Sequence, residues 1–224
     1  MKIQIWSDIA CPFCYIGIKQ LEQALVHQGL KANECIELKA FELDPYAPVS
    51  TPLSIFELLA NKYQTSVENI QRNNVHIEKM GEELGITLNI AQIKPTNTLK
   101  AHQVVSFAKT KNKSYETYMA LFKAYFEDGL NIGLDENLYA ITSTLFASKE
   151  EYLHVLQNDE YKFTVRQEEQ EARNKGINSV PHFNFGQGIE LRGAQGIQTF
   201  INALKHKASQ DQNPNVCDTD SKLC

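Results

Sequence analysis

Ser7-Asp8-Ile9-Ala10-Cys11-Pro12-Phe13-Cys14-Tyr15-Ile16-Gly17 is the stretch where one periodicity gives way to another. Before it, Ile3, Ile5 and Trp6 form a short β-type run. After it, Ile16, Leu21 and Leu25 recur at helical spacing until Gly29 stops the pattern. The two cysteines therefore fall at a strand-to-helix junction. Thiols two residues apart can close a small disulfide ring. The first would also lie beside the free N–H groups of a helix start, which favour the thiolate. A thiolate is the form that attacks disulfides, so the position points to redox chemistry.

Outward from this block, Ile36 to Leu43 alternates as a second strand, with Ile36, Leu38, Ala40 and Phe41 inward and Glu37, Lys39 and Glu42 outward. Asp44-Pro45-Tyr46-Ala47-Pro48 breaks it, and Pro52 adds a stop. From Leu53 to Lys175 the pattern is almost all helical, carried by stripes such as Ile55, Leu58, Leu59 and Tyr118, Leu121, Phe122, Tyr125; Asp159 to Asn174 reads as a highly charged helix. β-type sequence returns at Val180 to Phe185 and Ile189 to Arg192. Gly186-Gln187-Gly188 between them is a hairpin signal. A last amphipathic helix carries Ile197, Phe200, Ile201 and Leu204, and from Ser209 the chain is polar and reads as a mobile tail. The expectation is an α+β protein in which a β-α-β segment (1–52) and a β-β-α segment (176–208) are interrupted by a large all-helical insertion (53–175), with a tail over 209–224.

Composition narrows the class. The chain has 224 residues, enough for a sizeable core, and its 42% hydrophobic and 22% charged content is that of an ordinary globular protein. A net charge of −5 offers no basic footprint for nucleic acid, and no stretch has the length of a membrane span. The strand-like run beginning at Ile3 leaves no leader-like segment, so a cytoplasmic location is expected. Five cysteines, Cys11, Cys14, Cys35, Cys217 and Cys224, are too few and odd in number for a secreted disulfide scaffold. Cys35 stands alone ahead of a β-type run and reads as packing.

This layout and these motifs resemble the DsbA-like thioredoxin-fold oxidoreductases, and within them the FrnE-like branch. The resemblance rests on the cysteine block, Phe41-Glu42-Leu43-Asp44-Pro45, Asn97-Thr98 with Ala101-His102, Gly176-Ile177-Asn178-Ser179-Val180-Pro181-His182-Phe183, and Gly193-Ala194. It implies a thioredoxin-like fold and a thiol-disulfide oxidoreductase of reductase or isomerase type. Cys11, nearer the helix start, would be the attacking thiol, and Cys14 would resolve the mixed disulfide. Pro12 costs little in a first helical turn and stiffens the ring. Phe13 brings no charge with which to lower the thiol pKa. By the same resemblance Pro181 would be a cis proline beside Cys11 that keeps metals from bridging the thiols, and the Val180 backbone would pair with substrate. Val180, Pro12, Phe13 and His102 are thus the expected substrate-facing residues.

His102 would face the redox centre and trade a proton or hydrogen-bond substrate. His182 follows Pro181 but would point away from the Val180 face. Asp8 reads as a turn or cap residue that also sits near the thiols. Cys217 and Cys224 resemble the additional C-terminal pair of the branch, an accessory redox pair or two plain thiols. No cofactor or metal is expected beyond the redox-active disulfide itself and an external thiol reductant. The expected partners are thiol- or disulfide-containing proteins or small molecules, with no nucleic acid and no membrane. Two alternatives stay open: a zinc-binding thiol protein, since Cys11 and Cys14 have the spacing of half a zinc site, and a glutathione-dependent isomerase or transferase on the same fold. A cytosolic redox poise of about −220 to −320 mV would keep such a pair reduced and favours reduction or isomerisation over disulfide installation.

Overall fold

The computed structural model of the chain describes residues 2–212. Strand β1 (Ile3–Ser7) leads into helix α1 (Pro12–His27), a single turn α2 (Ala32–Cys35) and strand β2 (Ile36–Ala40). Helices α3 (Ile55–Tyr63), α4 (Val67–Glu82), α5 (Leu99–Thr110), α6 (Ser114–Phe122), α7 (Asp135–Thr142), α8 (Lys149–Gln157) and α9 (Asp159–Asn174) follow. A π-helical turn, Lys123–Glu127, extends α6. Strands β3 (His182–Gly186) and β4 (Ile189–Arg192) and helix α10 (Ile197–Gln212) complete the order. The polar stretch expected to be tail from Ser209 is therefore helical through Gln212, where the amphipathic pattern of α10 carries it one turn further.

The sheet runs β2-β1-β3-β4. β1 is parallel to β2, with Ile3 opposite Ile36 and Ser7 opposite Ala40, and antiparallel to β3, with Trp6 opposite His182. Its central place matches its sequence, since Ile3, Ile5, Trp6 and Ser7 are all fully buried and a strand covered on both faces needs a nearly continuous apolar run. Ile3 and Ile5 join a large cluster with Ile16, Leu21 and Leu25 of α1 and Phe200 and Leu204 of α10. Trp6 packs instead against Ala172 and Ile177. The same large cluster continues through Val104, Tyr118, Leu121, Phe126 and Tyr152 of the helical segment, so the core is shared between strands and helices.

The second strand is shorter than its alternation suggests. β2 ends at Ala40, and Glu42, expected to face solvent, is buried and paired with Arg166 of α9. The reason lies in α9, the charged helix, which supplies side-chain acceptors where a strand partner would have been. Glu168 accepts from the Ala40 N–H at 2.8 Å and Glu169 from the Glu42 N–H at 3.2 Å, while the Trp6 indole donates to the Glu168 carbonyl at 3.1 Å. Lys109 of α5 pairs with Glu168 and Arg166 with Glu169. Burying Glu168 and Glu169 is tolerable because each meets an N–H group and a cation, whereas Glu42 has Arg166 on one oxygen and no partner on the other.

Candidate active site

Beyond β1 the chain turns on Asp8, whose Oδ1 accepts from the Ala10 N–H at 3.2 Å while its carbonyl accepts from Cys11 at 3.1 Å. Cys11 is the N-cap of α1, with extended φ/ψ of −100° and 113° and Pro12 in the first turn. Its carbonyl accepts from Cys14 N–H at 3.0 Å and Tyr15 N–H at 3.4 Å. Cys11 is 5% exposed and Cys14 wholly buried, so Cys14 is the deeper of the two. Both are free thiols. Burial and the neighbouring Cys11 sulfur push the Cys14 pKa well up, and Ser7 opposes the shift.

Across from the cysteines, the Val180–Pro181 peptide bond is cis. The Cys11 thiol donates to the Val180 carbonyl at 3.8 Å. Gly17 makes this approach possible, because a Cβ there would meet Phe183 Cζ at 3.0 Å and Pro181 Cγ at 3.2 Å. Any larger residue would push α1 away from the proline.

Phe13 is 39% exposed at the mouth of a cavity of about 380 Å³ whose walls include Cys11, Leu43, Ile55, Ile77 and Phe126. The wall on the far side is the π-helical turn, where Tyr125 and Phe126 are placed one residue out of α-helical register. That turn is fastened by Tyr15, whose hydroxyl donates to Glu127 at 2.6 Å, and by the Asn89 carboxamide on the Glu127 carbonyl.

His102 of α5 is buried with its Nε2 3.4 Å from Asp8 Oδ1, and Asp8 Oδ2 accepts from the Leu43 N–H at 2.7 Å. The segments that the sequence singled out thus meet: Asp8 ties to Leu43 and His102, and Asn97, whose Oδ1 accepts from the Leu99 N–H at 2.9 Å, donates to the Pro45 carbonyl at 3.2 Å. His182 is buried beside Trp6, ring centroids 6.0 Å apart and nearly perpendicular, with Glu190 at 3.4 Å. Burial lowers its pKa. Cys35 is a buried member of the core. Cys217 and Cys224 lie outside the described residues. Among the described residues no three His, Cys, Asp or Glu side chains gather as a metal site. Sequence reasoning did not find the buried, unpartnered hydroxyls of Ser7 and Tyr118 or the role of Gly17. Only Ser7 and Gly17 carried a signal, as neighbours of the cysteine block.

The profile of the DSBA-like thioredoxin domain matches residues 2–205. The chain belongs to this family. Its fold is similar to that of a probable DsbA oxidoreductase, SCO1869 from Streptomyces coelicolor, with a TM-score of 0.85 and 26% identity, covering 100% of this chain and 94% of that one. The curated protein YwbO of Bacillus subtilis (strain 168), described as uncharacterized, is 28% identical over 211 residues, 91% of this chain and 96% of its own length. The cytosolic disulfide reductase DsbM from Pseudomonas aeruginosa shares the fold at a TM-score of 0.62 and 10% identity, covering 97% of this chain and 100% of DsbM. The chain is thus a member of the DsbA-like thioredoxin oxidoreductase family, with a thioredoxin-like α+β fold.

Proposed function

We propose that this DsbA-family protein is a thiol-disulfide oxidoreductase of reductase or isomerase type, with Cys11 as nucleophile and Cys14 as resolving thiol. The observation that carries the reading is the placement of Cys11. It is the N-cap of α1, with Pro12 in the first turn, and its sulfur faces the Val180 carbonyl beside cis Pro181. In this reading Cys11 attacks a substrate disulfide and Cys14, deeper and held neutral by burial, displaces the substrate thiol. The Val180 backbone pairs with substrate, Pro181 and Pro12 shape the ring's surroundings, and Phe13 and the adjoining cavity take the substrate's apolar part.

His102, whose Nε2 lies 3.4 Å from Asp8 Oδ1, is the residue offered to hydrogen-bond substrate, and Asp8 is read as the turn residue that holds it. Residues 1–52 and 176–208 form the redox-bearing part and 53–175 the helical insertion that walls the cavity. The substrates are thiol- or disulfide-containing proteins or small molecules in the cytoplasm, with an external thiol as reductant. Cys217 and Cys224 are offered as an accessory redox pair. Among the described residues no helix is long and apolar enough to cross a membrane.

Redox titration of the parent and of Cys11→Ser, with thiols counted by mass at each potential, tests the assignment. The expected result is a two-electron transition that disappears in Cys11→Ser, with a midpoint in the reducing range. A pair that holds zinc tightly, or shows no reversible transition, would overturn it.

A further inference from the structure

Two hydroxyls behind the Cys14 thiol are buried without a partner. Ser7 Oγ, at the end of β1, and the phenolic oxygen of Tyr118, on α6, are both sealed from solvent and make no hydrogen bond. Ser7 is 0% and Tyr118 1% exposed. The neighbouring acceptors are engaged elsewhere: Asp8 is turned to Ala10, Leu43 and His102, and the His102 ring lies 6.1 Å from that of Tyr118. The Ser7 hydroxyl is near enough to Cys14 and to Tyr118 to lower the pKa of each. A neutral thiol is a weak acceptor, so in the dithiol state neither hydroxyl makes a well-formed hydrogen bond, and an under-used buried donor costs stability. A thiolate at the same place would take up both, because hydrogen bonds to an ion are about twice as strong as neutral ones and are strengthened further in a low-dielectric interior.

We propose that Ser7 and Tyr118 form a preorganised donor pair for the Cys14 thiolate in the resolving step. The inference rests on the dithiol reading above. When Cys11 carries a substrate half as Cys11–S–S–R, Cys14 loses its proton and its thiolate attacks the Cys11 sulfur. The Cys11–Cys14 disulfide forms, the bond to the R sulfur breaks, and R–S⁻ leaves with the electron pair. That thiolate takes up one proton, which balances the one Cys14 released. Two electrons pass from the dithiol to the substrate disulfide, with no further reductant needed in the step. The donor pair acts only while Cys14 is charged, so it favours the step over the resting dithiol.

The test uses the full-length reduced protein with Cys217→Ser and Cys224→Ser, mixed rapidly with 5,5′-dithiobis(2-nitrobenzoate). The first nitrothiobenzoate released reports attack by Cys11 and the second reports resolution by Cys14. Tyr118→Phe and Ser7→Ala should each slow the second phase about tenfold near neutral pH, a change equivalent to one pKa unit in the resolving thiol. They should leave the first phase unchanged, the deficit should shrink as pH rises, and the melting temperature of the reduced protein should go up. Ser7→Thr, which keeps the hydroxyl, should behave as the parent. A second phase that is unaffected, or two phases slowed together with a lower melting temperature, would overturn the proposal. A first phase that survives in Cys11→Ser would instead sink the dithiol reading, and the donor-pair proposal with it.

Discussion

Two buried polar clusters flank the central strand, and they are built on opposite principles. On the α9 side, Glu168 and Glu169 accept from backbone N–H groups of Ala40 and Glu42 and pair with Lys109 and Arg166. Behind Cys14, Ser7 and Tyr118 have no partner, and His102 meets Asp8 at a long 3.4 Å. The first cluster stands in for the strand ladder that β2 lacks beyond Ala40, and its worth is structural. The second leaves bonding capacity unused in the resting molecule, which costs stability and suits a site whose charge changes during reaction.

Substitution separates the two most sharply where loss is greatest. Glu168→Ala removes the acceptor of a buried N–H and the partner of Lys109. It should lower the unfolding free energy by about 2–3 kcal/mol in urea titration, with thiol chemistry per folded molecule little changed. A loss of dithiol turnover at full stability would erase the contrast. Gly17→Ala comes next. Crowding of Phe183 and Pro181 opposes the helix-propensity gain of alanine and should leave a net cost of about 1 kcal/mol, and here turnover should fall too, because Pro181 is displaced from Cys11.

Smaller still are the effects of pH, which the same melting measurements would follow. His182 has a folded pKa below its ordinary value, so the unfolded chain binds the extra proton. Its contribution is intact above about pH 6.5 and is lost as pH falls. His182→Phe should flatten that acid limb. Cys14 runs the other way. Its folded pKa is raised, so the reduced protein should lose stability as pH climbs past about 8.5, where the unfolded thiol ionises. Cys14→Ala should remove that alkaline decline.

The sequence disclosed the order of strands and helices, the hairpin at Gly186-Gln187-Gly188 and the bounds of α9 almost to the residue, because each is written in contiguous periodicity or turn chemistry. It disclosed the placement of Cys11 and Cys14 for the same reason. What it withheld is tertiary. Tyr118 comes to bear on Cys14 only through the tertiary packing of α6, and a tyrosine on an amphipathic stripe looks like any core residue. Asp8 was legible as a turn, whereas its bonds to Leu43 and His102 needed three distant segments brought together. Glu42 looked outward because alternation alone says nothing of a charged helix arriving from the far end of the chain.

That far end has a bearing on synthesis. β1 has its parallel neighbour β2 within the first 40 residues, but its other neighbour, β3, begins at His182. At ribosomal rates of roughly 5–20 residues per second, some 9–35 s separate the emergence of β1 from that of β3. Through that interval the strand that leads into the Cys11–Cys14 turn has one bare edge, a template for wrong pairing. The nascent chain therefore needs shelter, from a chaperone or from its own helices, until the last fifth of the protein arrives.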